Sequence, residues 1–302
     1  MQNSRIPMYI AITQNVVNII ASLGLVYLCG MKVEGVALGT LIAQYAGFLM
    51  GIVLWMHNYG RLKRFWEIKN YKLKIKGGEG AGIWEKGAMF RFFQVNRDIF
   101  LRTLCLVAVT LFFTSAGASQ GEIILAVNTL LMQLFTLFSY VMDGFAYAGE
   151  ALSGRYIGAR NREAFTDTVR HLFGWGAVIA VLFTLVYALG GNAFLGLLTD
   201  DKEVIAVADT YFYWALAVPA VGIAAFIWDG IFIGATATRG MLLSMAAAAV
   251  SFFILYYGLH PVLANHALWL AFLTYLLMRG VVQTGLSREV IRRAFPSKKE
   301  PA

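Results

Sequence analysis

The chain has 302 residues, of which 59% are hydrophobic and only 14% are charged, roughly half the charged fraction of an average soluble domain. Its mean hydropathy is +0.66, and 25 Lys and Arg against 17 Asp and Glu leave a formal charge of +8. This composition excludes a disordered chain. A soluble protein could not bury so much apolar surface around one or two cores, so lipid is the expected solvent.

Eight apolar runs follow one another along the chain, each long enough to cross ~30 Å of hydrocarbon as a helix of ~20 residues. Most lack the alternating pattern of an outer-membrane barrel strand. The predicted fold is therefore an all-α integral membrane protein with about eight transmembrane helices. The predicted spans are 7–29, 35–57, 95–118, 122–150, 170–197, 204–235, 240–259 and 263–286.

A polar stretch, 58–88, is the one marked break in composition. It is rich in Lys and Gly, but no strand precedes its glycines and their spacing fits neither nucleotide-binding loop, so we interpret it as a cytoplasmic connector. The sequence thus predicts four parts: two spans in 1–57, a basic linker in 58–88, six spans in 89–287 and a basic cytoplasmic tail in 288–302.

Basic residues indicate how the spans are oriented, because cytoplasmic loops carry an excess of Lys and Arg. They concentrate in 58–88, in the connection 153–169, in the turn 236–240 and in the tail, whereas the alternate connections hold few. We therefore expect a multi-pass protein with both termini in the cytoplasm and with membrane lipid around it. The same positions argue against nucleic acid as a partner, which would need one basic folded face.

Three of the carboxylates in the predicted spans are candidates for function, because a charge inside a span costs ~2.5–3.5 kcal/mol on insertion scales and usually faces a cavity or a partner. Asp229 lies deep in span six. Asp143 and Glu150 share span four and, seven residues apart, one helix face. All three are predicted to bind the coupling ion of a carrier, H⁺ or Na⁺. A structural role stays open for each: pairing within the bundle for the aspartates, and an interfacial ion pair with Arg155 for Glu150.

Polar and aromatic side chains of spans three, four and six are predicted to line a substrate cavity. These are Asn96, Arg97, Asp98, Asn128, Gln133, Tyr140 and Trp228. The alternative for the charges that open span three is a pair between Asp98 and Arg102, which are four residues apart on one helix face.

The sequence carries no competing catalytic or metal-binding pattern. Cys29 and Cys105 are far apart, and His260 and His266 have no Cys or carboxylate nearby, so a metal site is not expected. The motifs of serine and zinc hydrolases do not occur. We therefore expect no enzyme activity and no cofactor other than the coupling ion.

Several stretches, in matching order and spacing, resemble the multidrug and toxic compound extrusion (MATE) transporters, and within that family the DNA-damage-inducible F (DinF)-like subfamily. They are NVVN at 15–18 followed by GMKVEGVALGT at 30–40, RDIFLRTL at 97–104, DGFAYAGEALSGRYIGARN at 143–161 and WDGIFIGATATR at 228–239. The resemblance covers nearly the whole chain.

The resemblance implies efflux of a small organic, cationic substrate across the plasma (inner) membrane, driven by inward H⁺ or Na⁺, through a cavity between two six-helix lobes. Asp229 matches an acidic residue of the family's tenth helix, whereas the seventh-helix glutamate has no clean match, since Asp98 lies nearer the helix start. The chain resembles one complete lobe and the last two helices of the other.

We therefore expect a truncated or partial transporter chain, with impaired or absent transport unless another polypeptide supplies the missing N-terminal helices. Two other functions stay open: export of lipid-linked oligosaccharide or polysaccharide within the same superfamily, and a non-transporting role as a membrane partner subunit.

Overall fold

The computed structural model describes residues 5–28, 30–59 and 86–296. Within these ranges the chain forms eight α-helices and no strand. Each helix is long and apolar enough to cross a membrane, which confirms the predicted all-α membrane fold. The helices are α1 (Arg5–Tyr27), α2 (Val33–Tyr59), α3 (Lys86–Ala118), α4 (Glu122–Gly158), α5 (Arg162–Leu198), α6 (Lys202–Gly234), α7 (Thr238–Leu263) and α8 (Asn265–Ala294). Residues 60–85 of the predicted linker, the tail from 297 and Cys29 lie outside the described residues.

The first of two compact units, residues 1–85, contains α1 and α2, which pack along each other. Gly39 lies so close to Ser22 that a Cβ at this position would overlap with the serine. The Ser22 and Thr40 hydroxyls both donate hydrogen bonds to the Asn18 amide oxygen, at 3.0 and 3.4 Å. Close contact at small residues and polar bonds are usual between helices in lipid.

The second unit, residues 86–302, contains α3 to α8, and α6 is its central helix. α6 packs against α4, α5 and α8, and every residue of its segment 225–232 is buried. Gly230 permits this packing, because a Cβ here would overlap with the Ala146 backbone of α4. The segment that carries Asp229 therefore lies in the core of the unit.

Tightly bonded turns connect the helices of the second unit. After α4, Arg160 has a left-handed conformation with φ +52°, and the Asn161 amide donates to the Tyr156 carbonyl at 2.9 Å, as in a Schellman motif. The Asn161 side chain then caps α5 by accepting from the Ala164 amide at 3.0 Å. The turn after α6 has the same left-handed conformation at Thr236, with φ +54°.

Because these turns are short, several helices extend beyond the predicted spans. Only residues 159–161 separate α4 from α5, so the predicted connection 153–169 is too long. α8 likewise continues to Ala294, inside the predicted tail 288–302. A helix pairs its own backbone groups in any solvent, so it can extend past the apolar residues. A hydropathy pattern detects only the apolar part of such a helix and therefore predicts it too short.

Candidate functional site

Asp229, on the buried segment of α6, is surrounded by hydrogen-bond donors from two other helices. Arg102 of α3 donates to its Oδ2 at 2.5 Å, and Arg279 of α8 donates to the same oxygen at 2.6 Å. Gln283, one turn after Arg279, donates to Oδ1 at 2.5 Å. The Asp229 side chain is 10% exposed, against 6% for Arg279 and 20% for Arg102. We call Arg102, Asp229, Arg279 and Gln283 the charge cluster.

Aromatic rings of the core hold Arg279 in this position. Its guanidinium carbon lies 5.5 Å from the ring centroid of Tyr275 and 6.0 Å from that of Phe226, within the range of cation–π interactions. The Tyr275 hydroxyl in turn donates to the Met245 sulfur at 2.9 Å. A buried guanidinium needs this combination of ion pair and packing, because neither contact alone offsets its loss of hydration.

Asp143 of α4 adds a second carboxylate beside the charge cluster. It is half-buried and interacts electrostatically with Asp229, Arg279 and Arg102. Within the described residues its side chain forms no hydrogen bond and no ion pair. Two guanidinium groups thus face two carboxylates, so the four charges balance, with one carboxylate fully paired and the other without a direct partner.

Three polar atoms of the charge cluster are buried and find no hydrogen-bond partner within the described part of the chain. They are Nε of Arg102, Nε of Arg279 and Oε1 of Gln283. Such atoms are uncommon in folded proteins, and each calls for an explanation such as a functional role or a bound ion or water. Among the described residues no group of three or more His, Cys, Asp or Glu side chains could hold a metal ion.

Two residues predicted to line a cavity lie in the core of the second unit. Asn128 exchanges hydrogen bonds with Asn265 at 2.8 and 3.0 Å and accepts another from the Trp269 indole at 2.8 Å. The Trp228 indole donates to the Thr284 hydroxyl at 2.9 Å. These contacts give both residues a structural role that joins α4 and α6 to α8.

Four other predicted cavity residues are exposed on the second unit: Asn96, Arg97, Gln133 and Tyr140. Gln133 and Tyr140 are seven residues apart and therefore lie on one stripe of α4. Asp143, three residues after Tyr140, lies beside the same stripe. The structure thus places one coupling candidate next to two substrate candidates on a single helix.

Asp98, about three turns into α3, is only 1% exposed. It accepts a hydrogen bond from Arg97 at 2.9 Å, and the Thr238 hydroxyl lies 3.5 Å from its other oxygen. The alternative pair between Asp98 and Arg102 does not form, because Arg102 is bonded to Asp229 instead. The partner of Arg102 is therefore Asp229, 127 positions away along the chain, and not Asp98, which helix spacing suggested.

Glu150 is half-buried near the end of α4, and the alternative ion pair with Arg155 does not form either. The Arg155 guanidinium carbon lies 5.8 Å from the ring centroid of Tyr156. No hydrogen bond or ion pair among the described residues joins Glu150 to the charge cluster. Of the three predicted coupling carboxylates, the structure therefore brings Asp143 and Asp229 together and leaves Glu150 apart.

Sequence reasoning missed Arg279 and Gln283 as parts of the site and assigned Arg102 to a different partner. A signal for Arg279 was present: it is the one Asp, Glu, Lys or Arg in the predicted span 263–286. An arginine within a span needs a partner as much as an aspartate does. Pairing the lone charges of spans six and eight would have found the contact between Asp229 and Arg279.

Ionisable side chains within membrane-spanning helices commonly mark ion and substrate pathways. Residues 99–260, more than half of the chain, match the MatE family. The chain therefore belongs to this family, whose members are transporters and not enzymes.

Curated relatives and solved structures agree with this membership. The chain is 38% identical over 280 residues to the DNA damage-inducible protein F of Escherichia coli (strain K12), a match that covers 93% of the chain and 58% of that protein. It is 20% identical to Protein DETOXIFICATION 42 of Arabidopsis thaliana, with 91% of the chain and 50% of that protein covered.

The fold is similar to the bent form of the Vibrio cholerae MATE transporter VcmN, with a TM-score of 0.76, 14% identity, and coverage of 97% of this chain and 64% of that one. A mutant of the same transporter matches with a TM-score of 0.77 and 14% identity, with 96% of this chain and 63% of that one covered. The chain thus spans between half and two thirds of the length of these relatives.

Proposed function

We propose that the chain acts in a secondary active antiporter that expels small organic molecules in exchange for H⁺ or Na⁺. Membership of a transporter family supports the general activity. The observation that carries the coupled mechanism is the arrangement of Asp143 and Asp229 around the guanidinium groups of Arg102 from α3 and of the buried Arg279 from α8. Buried ionisable groups within spans commonly mark ion and substrate pathways.

The charge balance of the site supplies the coupling. With both aspartates ionised, their charges cancel those of Arg102 and Arg279. A proton or Na⁺ bound at Asp143 leaves a net positive charge beside the largely buried pair of Asp229 and Arg279, which is unfavourable. Occupancy of Asp143 is therefore linked to a rearrangement that lets the surplus charge reach water. Asp229, held by three donors, serves as the anchor of the two arginines, and Glu150 remains a weaker candidate for ion binding.

The exposed stripe of α4 is the proposed contact for an organic cation. Tyr140 offers an aromatic ring one turn before Asp143, and Gln133 offers an amide two turns before Tyr140. An aromatic face next to a carboxylate attracts cations through the ring quadrupole and through charge. A cation that leaves this surface as an ion arrives at Asp143 would give exchange through a shared carboxylate.

The basic residues and the relatives support a proposed location and orientation. We place the protein in the plasma (inner) membrane with both termini in the cytoplasm, because the basic connections alternate with poorly charged ones and the E. coli relative matches nearly the whole chain.

Proteoliposomes test the proposal in two preparations, one with the 302-residue chain alone and one that also contains the part of the E. coli relative that the match leaves uncovered. Ethidium movement is followed under an imposed pH gradient, an imposed Na⁺ gradient or neither. We expect Asp143→Asn to slow gradient-driven transport by about tenfold, within the range of typical coupling free energies, and to leave gradient-independent dye exchange intact. The exposed acid of α8 supplies the control, Glu289→Gln, which should change neither rate.

The results of the transport assay distinguish the antiporter from the alternative functions. Gradient-driven transport that survives Asp143→Asn would contradict the assignment of Asp143. No transport by either preparation would contradict the antiporter and favour the partner-subunit alternative. The lipid-linked saccharide alternative predicts unpaired guanidinium groups for pyrophosphate, whereas Arg102 and Arg279 are both bonded to Asp229.

A further inference from the structure

Two adjacent grooves lie along α5 near its N-terminal end, which follows the basic turn at 159–161. The first, of about 350 Å³, runs between α4 and α5, and the second, of about 430 Å³, continues along α5. Asp167, His171 and Trp175 line both. Because they share these residues, we treat them as one feature and call it the α5 groove.

The length and composition of α5 predict that the groove lies at the boundary between lipid headgroups and hydrocarbon. The span of α5 that begins at Arg162 has 30 residues, which as a helix is ~45 Å and equals the thickness of a bilayer with its headgroups. Asp167, five residues into the helix, then lies ~7 Å below the outer limit of the headgroups. Trp175 and Val178 lie deeper, within the hydrocarbon.

The polarity of the α5 groove changes along the same direction. Its shallow part carries Asp167, Arg170 and His171, and its deep part carries Trp175 and Val178. A polar end at the interface followed by an apolar end in the hydrocarbon is the profile of a phospholipid, with the headgroup above and the acyl chain below. The groove thus matches lipid in depth and in chemistry.

The polar groups at the shallow end are available for a ligand. The Asp167 carboxylate and the Arg170 guanidinium are one helical turn apart and exposed, yet they form no ion pair with each other or with another described residue. His171 Nδ1 lies 2.7 Å from the Asp167 carbonyl. A carbonyl can only accept, so Nδ1 carries the hydrogen and Nε2 of the neutral ring is an acceptor.

We propose that the α5 groove binds the headgroup of phosphatidylethanolamine. The primary ammonium donates to the Asp167 carboxylate and to His171 Nε2, and the phosphate accepts from Arg170. The acyl chain lies against Trp175. A carboxylate and a guanidinium side by side complement a zwitterion, whereas a purely anionic headgroup would face the Asp167 charge. A choline headgroup has no N–H to donate, so the pair of acceptors selects for ethanolamine.

Lipid titration of the purified 302-residue chain in detergent tests this site, with bound lipid counted by native mass spectrometry. Dioleoyl lipids with ethanolamine, choline or glycerol headgroups share the same acyl chains, so differences report the headgroup alone. We expect the ethanolamine lipid to bind about tenfold more tightly than the choline lipid, as one charge-assisted hydrogen bond would give. Asp167→Asn should remove this preference, and Asp167→Glu should retain it.

A matched control comes from the same helix. Glu163→Gln, one turn before Asp167 and outside the α5 groove, should leave the preference unchanged. Arg170→Gln should weaken binding of ethanolamine and choline lipids alike, because both carry the phosphate. Equal affinity for ethanolamine and choline lipids would overturn the proposal, as would tightest binding of the glycerol lipid, which would indicate an anion site. An Asp167→Asn variant that keeps the preference would also overturn it.

Discussion

Replacing Asp229 by asparagine should destabilise the second unit more than any other isosteric change in the charge cluster. The side chain is 10% exposed and accepts from two guanidinium groups and one amide. Asparagine keeps the shape but removes the charge, so Arg102 and Arg279 remain close together without their anion. Breaking a buried ion pair from one side costs about 3–5 kcal/mol, and a folded unit of about 200 residues loses ~2–4 °C per kcal/mol. We therefore expect the midpoint of thermal unfolding to fall by about 6–20 °C.

A double-substitution cycle identifies the charge as the cause. Asp229→Asn combined with Arg279→Gln removes one anion and one cation, so the balance with Arg102 and Asp143 is restored. The double variant should be more stable than the sum of the two single changes predicts, by about 1–3 kcal/mol, which is the usual coupling within one ionic network. Thermal unfolding in detergent, followed by tryptophan fluorescence and by size-exclusion recovery, measures all three variants.

The exposed control sets the scale for this experiment. Glu289 accepts from Arg292 and Arg293 at 2.7 and 2.8 Å with its side chain 40% exposed, and such surface pairs contribute about 0–1 kcal/mol. Glu289→Gln should therefore leave the midpoint nearly unchanged. If Asp229→Asn shifts the midpoint no more than Glu289→Gln does, the carboxylate does not compensate the buried arginines and the reasoning about the cluster fails.

Two further predictions concern the packing that positions the site. Gly230→Ala places a Cβ into the backbone of Ala146, so we expect a loss of about 1–3 kcal/mol in the same unfolding assay, whereas Gly144→Ala, where a Cβ meets no atom within 4 Å, should be tolerated. Asn128→Ala leaves the Trp269 indole and the Asn265 amide without their hydrogen-bond partner in the core, which should cost about 1–3 kcal/mol. A shift of the unfolding midpoint as small as that of Gly144→Ala would show that this network is dispensable for stability.

The helices could be predicted from sequence because lipid makes their signal strong. All eight spans emerged from apolar length alone, since a backbone in hydrocarbon must satisfy its own hydrogen bonds. The predicted ends of the helices were less accurate, because hydropathy does not reveal the features that end a helix. After α4 these features are the left-handed conformation of Arg160 and the cap formed by Asn161.

The site was only partly predictable because its partners are distant in sequence. Asp229 and Asp143 stood out as carboxylates in apolar spans, and the structure brings both to one place. The contact from Arg102 to Asp229 joins residues 127 positions apart, whereas helix periodicity reaches only the neighbours of a residue on its own helix. It therefore offered Asp98 as the partner of Arg102. Tertiary packing, which periodicity does not encode, decided between the two.

Adding Arg279 to the cluster changes what Asp229 can do. A lone carboxylate in a span invites the interpretation of a group that takes up and releases ions. Held by Arg102, Arg279 and Gln283, Asp229 must lose strong charge-assisted hydrogen bonds before it can accept a proton. Asp143, beside the same arginines and without a direct partner among the described residues, has no such bonds to lose. For the proposed antiport, this difference favours ion exchange at Asp143 around a fixed Asp229.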